Sequence, residues 1–298
     1  MAHTSPDFSS LESGPRPDGA NWRKVAMAAL AAILVALYWP ILVGLVIQWS
    51  TDANYTHGFV VPLFSGFLVW RERAKLTAVV PRGSLSGLAV LIGGIGILIL
   101  GSIGSENFLM RSSLVVVLSG LVLFHLGTRV LRILFFPLAF LFFMVPLPGV
   151  VFYAVTFPLQ RLAAEQAAWT LDLLGVPVLL DGNVIHLSQI TLGVTEACSG
   201  IRSLISLLAG AVAWAYLMLP LGVIAIAFVL SAIPITIFAN AARVVATGLI
   251  GQWLGVEYAS GFFHEFAGLA VYTLALAGLG GVYTLARWLV RRTGELQK

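Results

Sequence analysis

The stretch Val25-Ala-Met-Ala-Ala-Leu-Ala-Ala-Ile-Leu-Val-Ala-Leu-Tyr-Trp-Pro-Ile-Leu-Val-Gly-Leu-Val-Ile-Gln48 decides the fold class. It carries no charged residue and follows directly on Arg23 and Lys24. As a helix rising 1.5 Å per residue it is about 36 Å long, enough to cross the ~30 Å hydrocarbon core of a bilayer. A cleavable signal has a shorter apolar segment and a small-residue cleavage site, so this reads as a spanning helix. Working outward, further apolar stretches run over about 57–70, 84–101, 112–127, 132–146, 199–219, 221–240 and 264–290. The expected architecture is an all-α polytopic membrane protein with about eight transmembrane helices.

Composition agrees. Of the 298 residues, 59% are apolar and 10% charged, and the mean hydropathy is +0.97. A disordered chain, a coiled coil and a water-soluble enzyme are all excluded by those values. Uninterrupted apolar runs also differ from the short alternating segments of an outer-membrane barrel. The net charge of +4 reflects membrane topology rather than a nucleic-acid partner. A single cysteine excludes an internal disulfide and any multi-cysteine metal site; no metal and no cofactor is expected.

Residues 1–21 are polar and rich in Pro, Gly and Ser, and read as a disordered cytoplasmic tail. Residues 22–292 form the membrane domain, and 293–298 a second cytoplasmic tail, with no soluble domain appended. With the N-terminus inside, thirteen of the seventeen Lys and Arg fall on the cytoplasmic side and only Arg111, Arg161, Arg202 and Arg243 outside. The longest hydropathy break, 147–198, then lies on the outer face. Within it, Phe152–Leu174 mixes apolar residues with Gln160, Arg161, Glu165, Gln166 and Asp172, as an amphipathic helix does. Asp181-Gly182, between β-prone runs, predicts a small β-hairpin with a type I′ turn.

Polar groups at the edge of an apolar bundle are costly, which makes them the first functional candidates. Three stand out. A helix entering after Cys198 crosses the core in about 20 residues and reaches Pro220, and the return helix arrives near Asn240 and Arg243. His264 opens the final span. A thiol, a guanidinium and an imidazole thereby reach one membrane depth. A thiol at a helix start is acidified by the dipole and by nearby cations. His264 can move its proton, Arg243 can hold an oxyanion or carbonyl, and backbone N–H groups at Ser199 and Gly200 can add donors. Arg202, one turn on, is an auxiliary cation. Each residue also has a structural reading: a small buried thiol, an arginine snorkelling to the interface, a histidine capping a helix. His125 and His186 read as structural.

The local sequence narrows this. Glu196-Ala-Cys198-Ser-Gly-Ile-Arg202 resembles the cysteine motif of the exosortase/archaeosortase family of membrane cysteine transpeptidases. Tyr55-Thr-His57-Gly58 is similar to its N-terminal Tyr-Ser-His-Gly segment, with Thr56 in place of Ser. Val145-Pro-Leu-Pro148, Gly182-Asn183, Pro234 through Asn240-Ala-Ala-Arg243 and His264-Glu-Phe-Ala-Gly268 extend the likeness over about residues 45–290. A histidine at the third site resembles the bacterial branch.

That resemblance implies Cys198 as nucleophile, Arg243 as activator or oxyanion stabiliser and His264 as acid/base. Arg202, Asn240, His57 and Glu196 become auxiliary or substrate-binding candidates, with helix capping an alternative for His57. It further implies exported protein substrates bearing a Pro-Glu-Pro (PEP-CTERM) motif, a transmembrane helix and a basic tail. The reaction would occur at the periplasmic face of the inner membrane, with an unknown surface acceptor. The rival reading is a non-enzymatic membrane subunit for exopolysaccharide assembly or export.

Overall fold

The computed structural model describes residues 19–194, 200–220, 222–255 and 262–293, with side chains placed from 25 and, in the last helix, from 267 to 292. Ten α-helices lie within those residues: α1 (Gly19–Thr51), α2 (Val60–Arg71), α3 (Arg73–Ala78), α4 (Ser86–Ile103), α5 (Asn107–His125), α6 (Thr128–Phe140), α7 (Gly149–Leu173), α8 (Ile201–Met218), α9 (Val223–Trp253) and α10 (Phe262–Thr293). Six of them, α1, α4, α5, α8, α9 and α10, are long and apolar enough to cross a membrane. The bent pair of α6 and α7 makes up to seven, compatible with the expected count of about eight. Large apolar side chains such as Ile92, Val223 and Leu274 are exposed along these helices, as a lipid-facing surface requires. The chain divides into a first unit, residues 1–45, which holds most of α1, and a second, 46–298, which holds everything described below.

Helices α4 and α5 pack closest. Gly87, Gly94 and Gly101 recur every seven residues on α4 and are buried. A Cβ at Gly87 would sit 2.2 Å from the Phe124 backbone nitrogen, and one at Gly94 2.7 Å from Val117. In lipid there is little hydrophobic drive between helices, so close backbone approach through small residues is what holds such a pair.

The α6–α7 pair bends by 74° where Val145-Pro-Leu-Pro148 interrupts it. Neither proline can donate a helical hydrogen bond, and Pro148 is extended (φ −57°, ψ 140°) as the N-cap of α7. The expected amphipathic helix is α7. Its buried face is Phe152, Thr156, Gln160, Ala163, Ala164, Ala167 and Leu171, at helical spacing.

After α7 comes the hairpin, with two corrections. The strands β1 (Val178–Asp181) and β2 (Val184–Leu187) pair with Asp181 opposite Val184, so the turn residues are Gly182-Asn183, not Asp181-Gly182. Gly182 has φ +60° while Asn183 does not enter the left-handed region, so the expected type I′ turn, with positive φ at both positions, is not formed. A third strand, β3 (Thr191–Gly193), pairs antiparallel with β2 and completes a sheet of order β1-β2-β3. Ile185, Leu187 and Val194 pack with Ala164, Ala167 and Leu171 of α7 and with Val244 and Val245 of α9 in one apolar cluster. This cluster fixes the sheet, down to Val194, to the C-terminal half of α9.

Candidate active site

Cys198 and Glu196 lie outside the described residues. The chain resumes at Gly200, two positions after the cysteine, as the N-cap of α8. Its φ of +81° is left-handed, and a Cβ there would lie 3.0 Å from Asn240 Cγ and 3.1 Å from Asn240 Cβ. The left-handed conformation favours glycine at this point, and any side chain there would also have to displace Asn240 by a few tenths of an ångström. The described helix begins at Ile201, two residues later than the expected start at Ser199.

Asn240 is buried in α9. Arg243 follows in the same helix, which does not end there as its expected length of about 20 residues implied. It runs a further ten residues to Trp253, because its C-terminal end packs against α7 and the sheet. The guanidinium of Arg243 lies against α10, where a Cβ at Gly268 would meet Arg243 Cζ and Nη2 at 3.6 Å. His264 stands four residues before Gly268, in the first turn of α10.

The third wall is the 3-10 segment Ala53–Phe59, which carries the Tyr-Thr-His-Gly motif outside the spanning helices. Its docking follows from the α6–α7 break. Where helix hydrogen bonding stops, carbonyls need other donors. The Trp49 indole donates to Met144 O at 2.9 Å, and His57 Nε2 lies 3.1 Å from Phe143 O. Leu147 N donates to the Tyr55 hydroxyl at 3.3 Å. Gly58 is obligatory, since a Cβ would fall 2.3 Å from the Trp49 ring nitrogen. Burial holds the His57 imidazole below the ordinary histidine value, against the pull of backbone hydrogen bonds at Phe143 and Asn54.

These walls enclose a cavity of about 780 Å³, open on one side. The 3-10 segment and α2 contribute Thr56, His57 and Val60. From α8 and its cap come Gly200, Arg202, Ser203 and Ser206; from α9, Arg243; from α10, Gly268, Leu269 and Tyr272. A small recess beside it is lined by Thr236, Asn240 and Arg243. Of the residues singled out from sequence, Arg202, Arg243 and His57 therefore border one space, with Asn240 immediately behind.

Ser203, Ser206 and Tyr272 were not anticipated. The signal was available once helix register was known: Ser206 is one turn after Arg202, and Tyr272 two turns after His264. Among the described residues, no three His, Cys, Asp or Glu side chains converge to hold a metal ion. The cavity instead offers two guanidinium groups, an imidazole and several hydroxyls, an arrangement suited to binding a peptide and stabilising negative charge.

A family model described as transmembrane exosortase (Exosortase_EpsH) matches residues 49–281, from the end of α1 to well inside α10. No curated protein and no solved structure matches the chain.

Proposed function

The chain belongs to the transmembrane exosortase family, and from that premise we propose that it is a cysteine peptidase/transpeptidase. Its substrates are exported proteins carrying a C-terminal Pro-Glu-Pro motif, a transmembrane helix and a basic tail. One observation carries the reading: three segments distant in sequence, bearing Gly200, Arg243 and Gly268, line one cavity, and they stand within four residues of Cys198, at Arg243 itself, and within four residues of His264.

In this mechanism the Cys198 thiolate attacks the carbonyl carbon of the scissile peptide bond. The carbonyl π electrons move to oxygen, and Arg243 stabilises that oxyanion. As the tetrahedral intermediate collapses, the C–N bond breaks and His264 gives its proton to the leaving amine of the tail. The thioester then passes to water or to an amine acceptor, with His264 taking that nucleophile's proton. Asn240, packed against Gly200, positions the start of α8, and Glu196 and Arg202 are auxiliary to the site. The site faces the periplasm in the inner membrane, both termini are cytoplasmic, and residues 22–292 act as one membrane domain.

The test is release of the basic tail from a tagged substrate in membranes, with each variant's protein level measured. Cys198→Ser and Cys198→Ala are expected to abolish release, and His264→Ala to stop turnover. Arg243→Lys keeps the charge but loses the forked donors, which removes on the order of 3–4 kcal/mol, about a hundredfold or more in rate. Near-normal release by Cys198→Ala would overturn the reading.

A further inference from the structure

We propose that Arg202 forms a carboxylate-binding subsite beside the cleavage centre and selects substrates with an acidic side chain next to the scissile bond. The inference rests on the reading above that this cavity is where the peptide is cut. In the substrate class named there, the acidic side chain is the glutamate of the Pro-Glu-Pro motif.

Among the described residues that line the cavity, Arg202 and Arg243 are cations and none is Asp or Glu. The described ion pairs, Lys75–Glu72 and Arg161–Glu165, lie elsewhere. Among the described residues the Arg202 side chain has neither a hydrogen-bond nor an ion-pair partner; only its backbone carbonyl is engaged, by Ser206 Oγ at 2.9 Å. Arg202 is exposed, so its five donors face the open volume. Arg243 is differently placed. It packs on Gly268 and is assigned to the reacting carbonyl, so the second cation is left for a second anionic group.

Proximity favours a side chain close to the reaction. Arg202 borders the same cavity as Arg243, the residue proposed to hold the reacting carbonyl. An extended peptide advances about 3.3–3.6 Å per residue, so a peptide bound in that cavity brings a side chain a few positions at most from the scissile bond to the arginine. A carboxylate is also the planar acceptor that a guanidinium fork matches with two parallel hydrogen bonds. The cavity volume, about 780 Å³, lies in the range of sites that hold a ligand of several residues.

The experiment uses the full-length protein in neutral phosphatidylcholine vesicles and a tagged substrate whose motif glutamate is kept, changed to Gln, or changed to Lys. With the unaltered protein, Glu→Gln in the substrate is expected to lower kcat/KM about tenfold or more, mainly through KM, as loss of a charge-assisted bidentate pair does. Arg202→Gln should lower cleavage of the Glu substrate several-fold more than that of the Gln substrate, so that the preference for Glu over Gln disappears. Arg202→Glu should restore cleavage of the Lys substrate. Equal kcat/KM for Glu and Gln substrates with the unaltered protein overturns the inference without any enzyme variant having to fold. Arg202→Gln slowing both substrates by one common factor overturns it too. A loss that appears only in vesicles containing anionic lipid, and equally for both substrates, would assign Arg202 to lipid headgroups instead. If the unaltered protein releases no tail from any substrate, the peptidase reading itself falls and this subsite falls with it.

Discussion

At the scale of single residues, the site depends on two glycines that answer to different constraints. Gly200 combines φ +81° with a contact distance of 3.0 Å to Asn240 for any added Cβ. Forcing an L-residue into that conformation costs about 1–2 kcal/mol, and the crowding pushes α8 away from α9. Gly268 has ordinary φ, and a Cβ there meets the Arg243 guanidinium at a normal 3.6 Å. Gly200→Ala is therefore expected to lower tail release per inserted molecule about tenfold, scaling with that strain, whereas Gly268→Ala stays near the unaltered rate. Gly268→Leu, which extends into the guanidinium, should lose activity again. Specific activities of the purified variants check this; a harmless Gly200→Ala beside a damaging Gly268→Ala would refute the account. His57 shows why some roles stay hidden in a sequence. Its carbonyl partner, Phe143, lies 86 positions away, and no local spacing encodes a helix break that leaves that carbonyl open.

At the scale of elements, the helices were legible where one physical demand dominates the sequence. Val25–Gln48 along its whole length, and Ile201–Met218 beyond the turns that line the cavity, must satisfy hydrocarbon, so composition alone marks them. The third strand was not legible, because Thr191–Gly193 is three residues long and exists only through pairing with β2. The turn was displaced by one residue because Asp-Gly and Gly-Asn both favour tight hairpins, and strand register chooses between them. The last ten residues of α9 were also missed, since they pack on the sheet rather than on lipid. The α4–α5 pair supplies a direct test of packing as the source of stability. Gly87 and Gly94 face α5 with no room for a methyl group, while Gly93 and Gly96 on the same helix have nothing within 4 Å. Gly87→Ala and Gly94→Ala should each destabilise the protein by about 1–3 kcal/mol through overpacking. Gly93→Ala and Gly96→Ala should be neutral or slightly stabilising, as helix propensity favours Ala over Gly by up to about 1 kcal/mol. Thermal unfolding in detergent reads the difference.

At the scale of the whole molecule, the cavity and the basic charge sit at opposite ends of the same helices. Residues His57 and Gly268 lie near the starts of α2 and α10 and border the cavity. Arg71, Arg291 and Arg292 lie in the last turns of those two helices. Arg73, just beyond α2, lies 4.1 Å over Trp70, and Arg292 lies 4.0 Å over Trp288, the cation–aromatic pairing typical of a membrane interface. Helix α6 runs toward the cavity side, since the turn after it carries Phe143, so Arg129 and Arg132 at its start belong to the basic end as well. Arg82 joins them through its backbone bond to Leu126. Basic loops stay in the cytoplasm, so the proposed orientation, with the cavity outside, is the one that keeps this basic end in the cytoplasm. A reporter that folds only after export should therefore be silent when fused after Lys298 and active when inserted at Ser188-Gln189, in the turn between β2 and β3. A cytoplasmic reporter should show the reverse at both positions. An exported reporter active after Lys298 would place the cavity on the cytoplasmic side, out of reach of exported substrates, and the proposed reaction would fail with it.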